Sequence, residues 1–246
     1  MYNLILVEYL NALPFAAALK HLASSGEFNI MRGNPRECAE QLTRGTADIA
    51  LLPVGALQDF EKLYAVSDYC IGCNGPVRTV CVFSHIPFAE IRSISQDPES
   101  RSSNLLLNTL NDHFWNSGQE IEIRPHDQES DGKLIIGDRA FEAEKNYAYK
   151  LDLGQEWKRL TQLPFAFAVW VSQVELPEQI RSKIDQSFEK FLGQADFYKK
   201  LNYTQSAVSD LETYFRKNIS YPLDSGKKEA IKLLYKLNKL TLPLEF

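Results

Sequence analysis

LPFAFAVWVS, residues 163–172, is the stretch whose reading decides the fold. From Ala166 to Ser172 it is almost continuously apolar, as expected of a strand covered on both faces. An amphipathic helix follows, opened by Pro177, with Ile180, Ile184, Phe188 and Phe191 on one side. Upstream, a pattern of short strands and helices begins afresh near Pro87, after an earlier run of the same kind has ended. On this reading LPFAFAVWVS returns the chain to a sheet begun much earlier, and what lies between is an insertion.

The earlier sheet is legible from the N-terminus. Leu4–Leu10 reads as a buried strand, and Pro14 suits the first turn of the helix after it, where a missing N–H is no loss. Residues 28–31 read as a second strand. Asn34-Pro35 reads as a cap and first-turn pair for a helix that Gly45 stops. Asp48–Val54 reads as another apolar strand, and "VRTVCVFS", residues 77–84, as a further one. Alternating strands and helices define an α/β protein. The expectation is a first lobe of residues 1–86 and 165–246, with residues 87–164 inserted as a second lobe. The chain then crosses twice, after Ser84 and near LPFAFAVWVS. Two crossings beside an interlobe cleft are the layout of the type II periplasmic-binding-protein fold.

Composition limits the function classes. The chain has 246 residues, 44% hydrophobic and 24% charged, and a net charge of −5. That size suits two small lobes, and the acidic balance argues against a nucleic-acid binder. No apolar run reaches the roughly 20 residues of a membrane helix, and the N-terminus lacks a basic, cleavable leader, so a cytoplasmic location is expected. Lys228, Lys232, Lys236 and Lys239 share one face of the last helix, read as a solvated face. Cys70 and Cys73 form a C-x-x-C without a second ligand pair, so reduced thiols and no metal are expected. No Walker loop, dinucleotide fingerprint, zinc-protease motif or nucleophile elbow occurs, and no cofactor is expected.

The polar candidates sit at strand and helix ends, where ligands are met in open α/β sheets. Asn11 follows the first strand, either as a turn former or as a ligand contact. Val54 and Gly55 follow the Asp48 strand. Ser84 ends "VRTVCVFS", as a site residue or as a hydroxyl bonded to its neighbour. Gly137 and Asp138 follow "KLII", with Asp138 also readable as a cap. Ser102 and Ser103 lie where a helix begins, readable as caps or as an anion site with the helix N–H groups.

Seven segments, "EYLNALPF", "RGTADIALLPV", "GPVRTVCVFS", "DPESRSSNLLL", "LIIGDRAF", "DLGQEW" and "TQLPFAFAVW", resemble in this order those of the chorismate dehydratases of the futalosine route to menaquinone. The resemblance implies the two-lobed fold and loss of water from chorismate, a dicarboxylate, giving 3-[(1-carboxyvinyl)oxy]benzoate. It places Asn11 at the catalytic position of a "YLN" motif, Ser84 at a strand-end serine, and Ser102 and Ser103 in an "SRTS" signature whose threonine is here Ser103. An amide has no useful basicity, so Asn11 would orient the substrate. The base would be a substrate carboxylate or Asp138. Two alternatives stand beside this reading. One is a non-catalytic binder of a small carboxylate. The other is the sister 1,4-dihydroxy-6-naphthoate synthase, which typically carries a histidine base where this chain has Gly137-Asp138.

Overall fold

The computed structural model describes residues 1–115, 120–201, 203 and 210–246. β1 (Tyr2–Val7) buries Leu4 to Val7 and ends in a 3-10 turn over Leu10–Ala12. α1 (Leu13–Ala23) follows, with Pro14 in its first turn. β2 (Phe28–Gly33) lies parallel to β1. α2 (Pro35–Thr43) starts with a capping box, in which Asn34 Oδ1 accepts the Glu37 N–H and Glu37 Oε2 accepts the Asn34 N–H. Past its end, Gly45 adopts φ +68°, the left-handed conformation glycine takes at low cost. β3 (Ile49–Pro53) is buried throughout and parallel to β1.

β4 (Leu63–Cys73) is the longest strand, with 11 residues. The chain then passes to a second sheet through residues 74–79. That sheet contains β5 (Val80–Ser84), β6 (Ser93–Ser95), β7 (Glu122–Arg124), β8 (Gly132–Ile136) and β9 (Tyr149–Asp152). Its order is β7-β6-β8-β5-β9. α3 (Arg101–Leu110), α4 (Arg139–Asn146) and α5 (Leu153–Thr161) accompany it. β10 (Phe165–Ser172) re-enters the first sheet between β3 and β4, antiparallel to both and buried along its whole length. α6 (Glu178–Leu192), the single turn α7 (Leu211–Thr213), β11 (Ser220–Pro222), α8 (Ser225–Leu237) and β12 (Leu244–Glu245) complete the chain. The first sheet runs β11-β4-β10-β3-β1-β2, with β12 pairing β4.

The chain therefore returns to its first sheet at LPFAFAVWVS. The first crossing, however, precedes "VCVFS" and does not follow Ser84. β5 pairs with β8 and β9 in the second sheet, so residues 80–84 leave the first lobe to which they were assigned. The turn around Gly75, at φ +127°, and Arg78, at φ +68°, is the crossing itself. Asp152 ties the two crossing segments together. Its carboxylate accepts the N–H groups of Val77 at 3.1 Å and Arg78 at 2.6 Å, and caps α5 through the Gln155 N–H at 3.0 Å.

α1 and α6 cover one side of the first sheet with an aromatic cluster. Phe15 packs on Phe188 at 4.5 Å between ring centroids, on Tyr221 at 5.2 Å and on Trp170 at 5.6 Å. In α8, Ile231 and Leu234 are buried and Lys232 and Lys236 face solvent, as does Lys239 just past its end, whereas Lys228 is half-buried beside Asp68. All four cysteines are free and buried. Burial pushes the thiols of both Cys70 and Cys73 up to about 12. Among the described residues no group of three or more His, Cys, Asp and Glu side chains is arranged for a metal ion, and no helix is long and apolar enough to cross a membrane.

Candidate active site

A narrow cleft lies where the two sheets meet. Val7, Ile71, Val80, Ile136 and Phe167 give it apolar walls, and Tyr9, Asn11, Thr79, Glu99, Ser100, Ser102 and Ser103 supply the polar groups, Glu99 the one charged side chain among them. The two sheets hold it from opposite sides. β1 brings Asn11 on the turn at its tip, and the amino end of α3 brings the serines.

The backbone around Asn11 is tethered. The Leu10 N–H donates to Asp138 Oδ1 at 3.2 Å, the Tyr221 hydroxyl donates to the Asn11 carbonyl at 2.9 Å, and the Ala12 N–H closes the turn on Tyr9 at 3.0 Å. The Asn11 side-chain oxygen, by contrast, is buried with no hydrogen-bond partner. A buried acceptor left unpaired costs on the order of 1–3 kcal/mol, so it demands an explanation, and a ligand in the cleft supplies one.

Ser100 caps α3, its Oγ accepting the Ser103 N–H at 3.2 Å and donating to Ser103 Oγ at 2.7 Å. The Ser103 hydroxyl proton is thus left to donate into the cleft, beside the N–H groups that open the helix. Ser102 is differently occupied. Its Oγ donates to the Phe167 carbonyl at 2.8 Å and accepts the Gly55 N–H at 3.1 Å, joining α3 to the first sheet. Gly55 must be glycine for this approach, because a Cβ there would lie 2.5 Å from the Arg101 carbonyl oxygen and 2.8 Å from the Ser102 nitrogen.

The expected residues therefore separate. Asn11, Ser102, Ser103 and Gly137 line the cleft together. Val54 and Gly55 lie outside its lining and grip neighbouring helices, Gly55 through Ser102 and Val54 through its carbonyl, which accepts the Tyr235 hydroxyl at 2.7 Å. Asp138 is also outside the lining, turned toward the Leu10 N–H and the Tyr203 hydroxyl. Burial raises its carboxyl above the ordinary range against those two hydrogen bonds, and pushes the Tyr203 hydroxyl up to about 12. Ser84 is not at the cleft. Its hydroxyl bonds the Ile86 carbonyl, and it pairs with Gly132, at the opposite end of β8 from Gly137. Glu8 faces solvent.

Tyr9, Thr79 and Glu99 were not among the expected residues. The Tyr9 hydroxyl donates to Glu99 at 3.2 Å across the cleft mouth. Burial foremost, with the Glu99 charge second, raises the Tyr9 hydroxyl well above its ordinary value. Glu99 is also held by Arg139, which pairs with the buried Asp97 at 2.9 Å. Thr79 meets the buried Tyr214 hydroxyl at 3.1 Å. A signal for Tyr9 was present in the sequence. Val7 and Tyr9 both line the cleft, two apart in extended backbone as on one strand face, and Asn11 joins them from the 3-10 turn that follows.

The fold belongs to the periplasmic-binding-protein class. The ligand-binding component of an ABC-type import system from Staphylococcus aureus superposes with a TM-score of 0.67 at 14% identity, covering 98% of this chain and 93% of that one. An alkanesulfonate-binding protein from Xanthomonas axonopodis pv. citri gives 0.63 at 15% identity, covering 98% and 94%. A Candida albicans protein with the generic periplasmic-binding-protein fold gives 0.65 at 10% identity, covering 100% and 96%.

Within that class, residues 3–239 match the model of a menaquinone biosynthesis family, and the chain belongs to this family. Chorismate dehydratase from Thermus thermophilus is 28% identical over 201 residues, covering 72% of this chain and 71% of that protein.

Proposed function

We propose that this protein is a chorismate dehydratase, a carbon–oxygen lyase of menaquinone biosynthesis. The observation that carries the reading is a cleft whose unspent polar groups are the Asn11 amide oxygen and the Ser103 hydroxyl at a helix start, set among apolar walls. Such walls suit the ring of chorismate, and the helix start suits one of its two carboxylates. In the reaction the ring C–H at the ether-bearing carbon breaks, and its electron pair becomes the third ring double bond. The neighbouring hydroxyl leaves with a proton as water, and the product is 3-[(1-carboxyvinyl)oxy]benzoate.

The chain's part is to hold one geometry and exclude water. Asn11 positions the substrate hydroxyl, whose O–H its amide oxygen accepts, and Ser103 with the N–H groups at the start of α3 holds a carboxylate. The placement of Asp138 outside the cleft lining supports a substrate carboxylate as the proton acceptor, with Asp138 fixing the Asn11 turn from behind. Substitution of Asn11 tests these roles. Asn11→Ala is expected to lower turnover on the order of 10²-fold or more, the usual cost of one preorganised donor or acceptor at a reacting centre. Its affinity for chorismate, measured by titration calorimetry, is expected to change far less. Equal losses in turnover and affinity would make Asn11 a uniform binding contact, and unchanged turnover would reduce it to a turn residue. A binder without chemistry remains the competing reading, favoured by the structural relatives that bind solutes. It predicts saturable chorismate binding and no product.

A further inference from the structure

Tyr221 is 210 positions from Asn11 in the chain, yet its hydroxyl reaches the Asn11 carbonyl. We propose that Tyr221 is a positioning residue that aims Asn11, and that Lys227 holds the strand segment carrying it. The proposal rests on Asn11 being the group that faces substrate.

β11 is a weak strand on its own. Only Ser220 and Pro222 pair with β4, opposite Gly72 and Tyr69, and the register shifts between them. Tyr221 therefore sits at an irregularity, the kind of place where a side chain is re-aimed out of the ladder. What holds this segment is a lysine. Lys227 is fully buried, and its ammonium donates to the Ser220 carbonyl at 3.0 Å, to the Ser220 hydroxyl at 2.7 Å and to the Pro222 carbonyl. An ammonium has three donors, and all of them fall on the two residues flanking Tyr221. Gly72 makes room for this side chain, since a Cβ there would lie 2.8 Å from Lys227 Cε.

Tyr221 is itself buried and packs edge-on against Phe15, so its hydroxyl has a fixed point of arrival. That point is the peptide after Asn11, while Asp138 holds the Tyr9–Leu10 peptide, at the start of the same turn, through the Leu10 N–H. The Asn11 side-chain oxygen has no protein partner of its own, so these backbone tethers set where it points. Loss of one tether leaves the turn free to rock, and a misplacement of about 1 Å at a reacting centre is enough to cost about 10²-fold in rate.

Tyr221→Phe keeps the ring and removes only the tether. It is expected to lower kcat on chorismate by about 10- to 100-fold with KM within about threefold. It should also speed hydrogen exchange at the amides of Leu10–Ala12, while the melting temperature stays close to wild type. Ser220→Ala, which removes one acceptor of Lys227 and leaves the tyrosine in place, is expected to lower kcat in the same direction by a smaller factor. The double variant Asn11→Ala with Tyr221→Phe should be no slower than Asn11→Ala alone, because both act through one group. Wild-type kcat in both Tyr221→Phe and Ser220→Ala overturns the proposal, and a slow Asn11→Ala beside them leaves the Asn11 reading intact. A fully active Asn11→Ala removes the Asn11 reading. Any loss in Tyr221→Phe would then be a structural effect, and the positioning role would fail with it.

Discussion

At the scale of single residues, the two α3 serines that line the cleft do different work. The Ser102 hydroxyl is spent between Gly55 and Phe167, whereas Ser103 keeps a proton to donate. Ser102→Ala is expected to destabilise the fold by about 1–3 kcal/mol, because a buried N–H and a buried carbonyl each lose a partner, and a shifted denaturant midpoint checks this. Ser103→Ala is expected to cost less stability than Ser102→Ala, since only the Ser100 hydroxyl loses its acceptor, and to weaken chorismate binding by about 0.5–1.5 kcal/mol, read by calorimetry. Asn11, Ser102, Ser103 and Gly137 were legible because they end strands or begin a helix. Ser84 misled for a physical reason. The rule that ligands meet the carboxyl ends of strands holds for parallel neighbours. β5 is antiparallel to β8, so its amino end, at Thr79 and Val80, meets the cleft beside Ile136. Tyr9 and Thr79 were less legible because the contacts that place them at the cleft reach across the chain, to Glu99 and Tyr214.

At the scale of elements, the strand with the most residues was the one least visible. β4 runs through Ser67, Asp68 and Tyr69 with no clean two-residue alternation of burial, so periodicity did not announce it. Without that strand the C-x-x-C lacked its context, a buried strand paired with β10 on one side and β11 on the other. That burial makes a prediction about pH. The Cys70 thiol is raised from 9.0 to about 12 in the folded chain. Between these values the unfolded state has released the proton and the folded state retains it. Stability from this group is therefore complete below about pH 9 and is lost as pH rises toward 12. Urea unfolding across pH 8–11 should show Cys70→Ala losing stability less steeply than wild type, and parallel slopes would contradict it. At the crossing, Asp152→Ala is expected to cost at least about 2 kcal/mol, because it strands the N–H groups of Val77 and Arg78 and uncaps α5. Thermal unfolding checks this.

At the scale of the whole molecule, the return strand LPFAFAVWVS made the two-sheet plan readable, since a run buried on both faces needs a sheet already built. The position of the first crossing was not readable, because β5 is as apolar as a strand of either sheet and only its pairing decides. The two sheets meet through Tyr9 with Glu99, Leu10 with Asp138, Asp59 with Arg101, and Ser102 with Gly55 and Phe167. This set of contacts borders the narrow cleft that Asn11 lines. Whether that cleft does chemistry is decided by mixing the purified wild-type chain with chorismate and following the ring protons by NMR. The account predicts that the ring signals of chorismate disappear and those of an aromatic ring grow in, with the enolpyruvyl methylene protons retained and one water lost in the product's mass. Chorismate that binds and is recovered unchanged would contradict the account and leave a binding protein in its place.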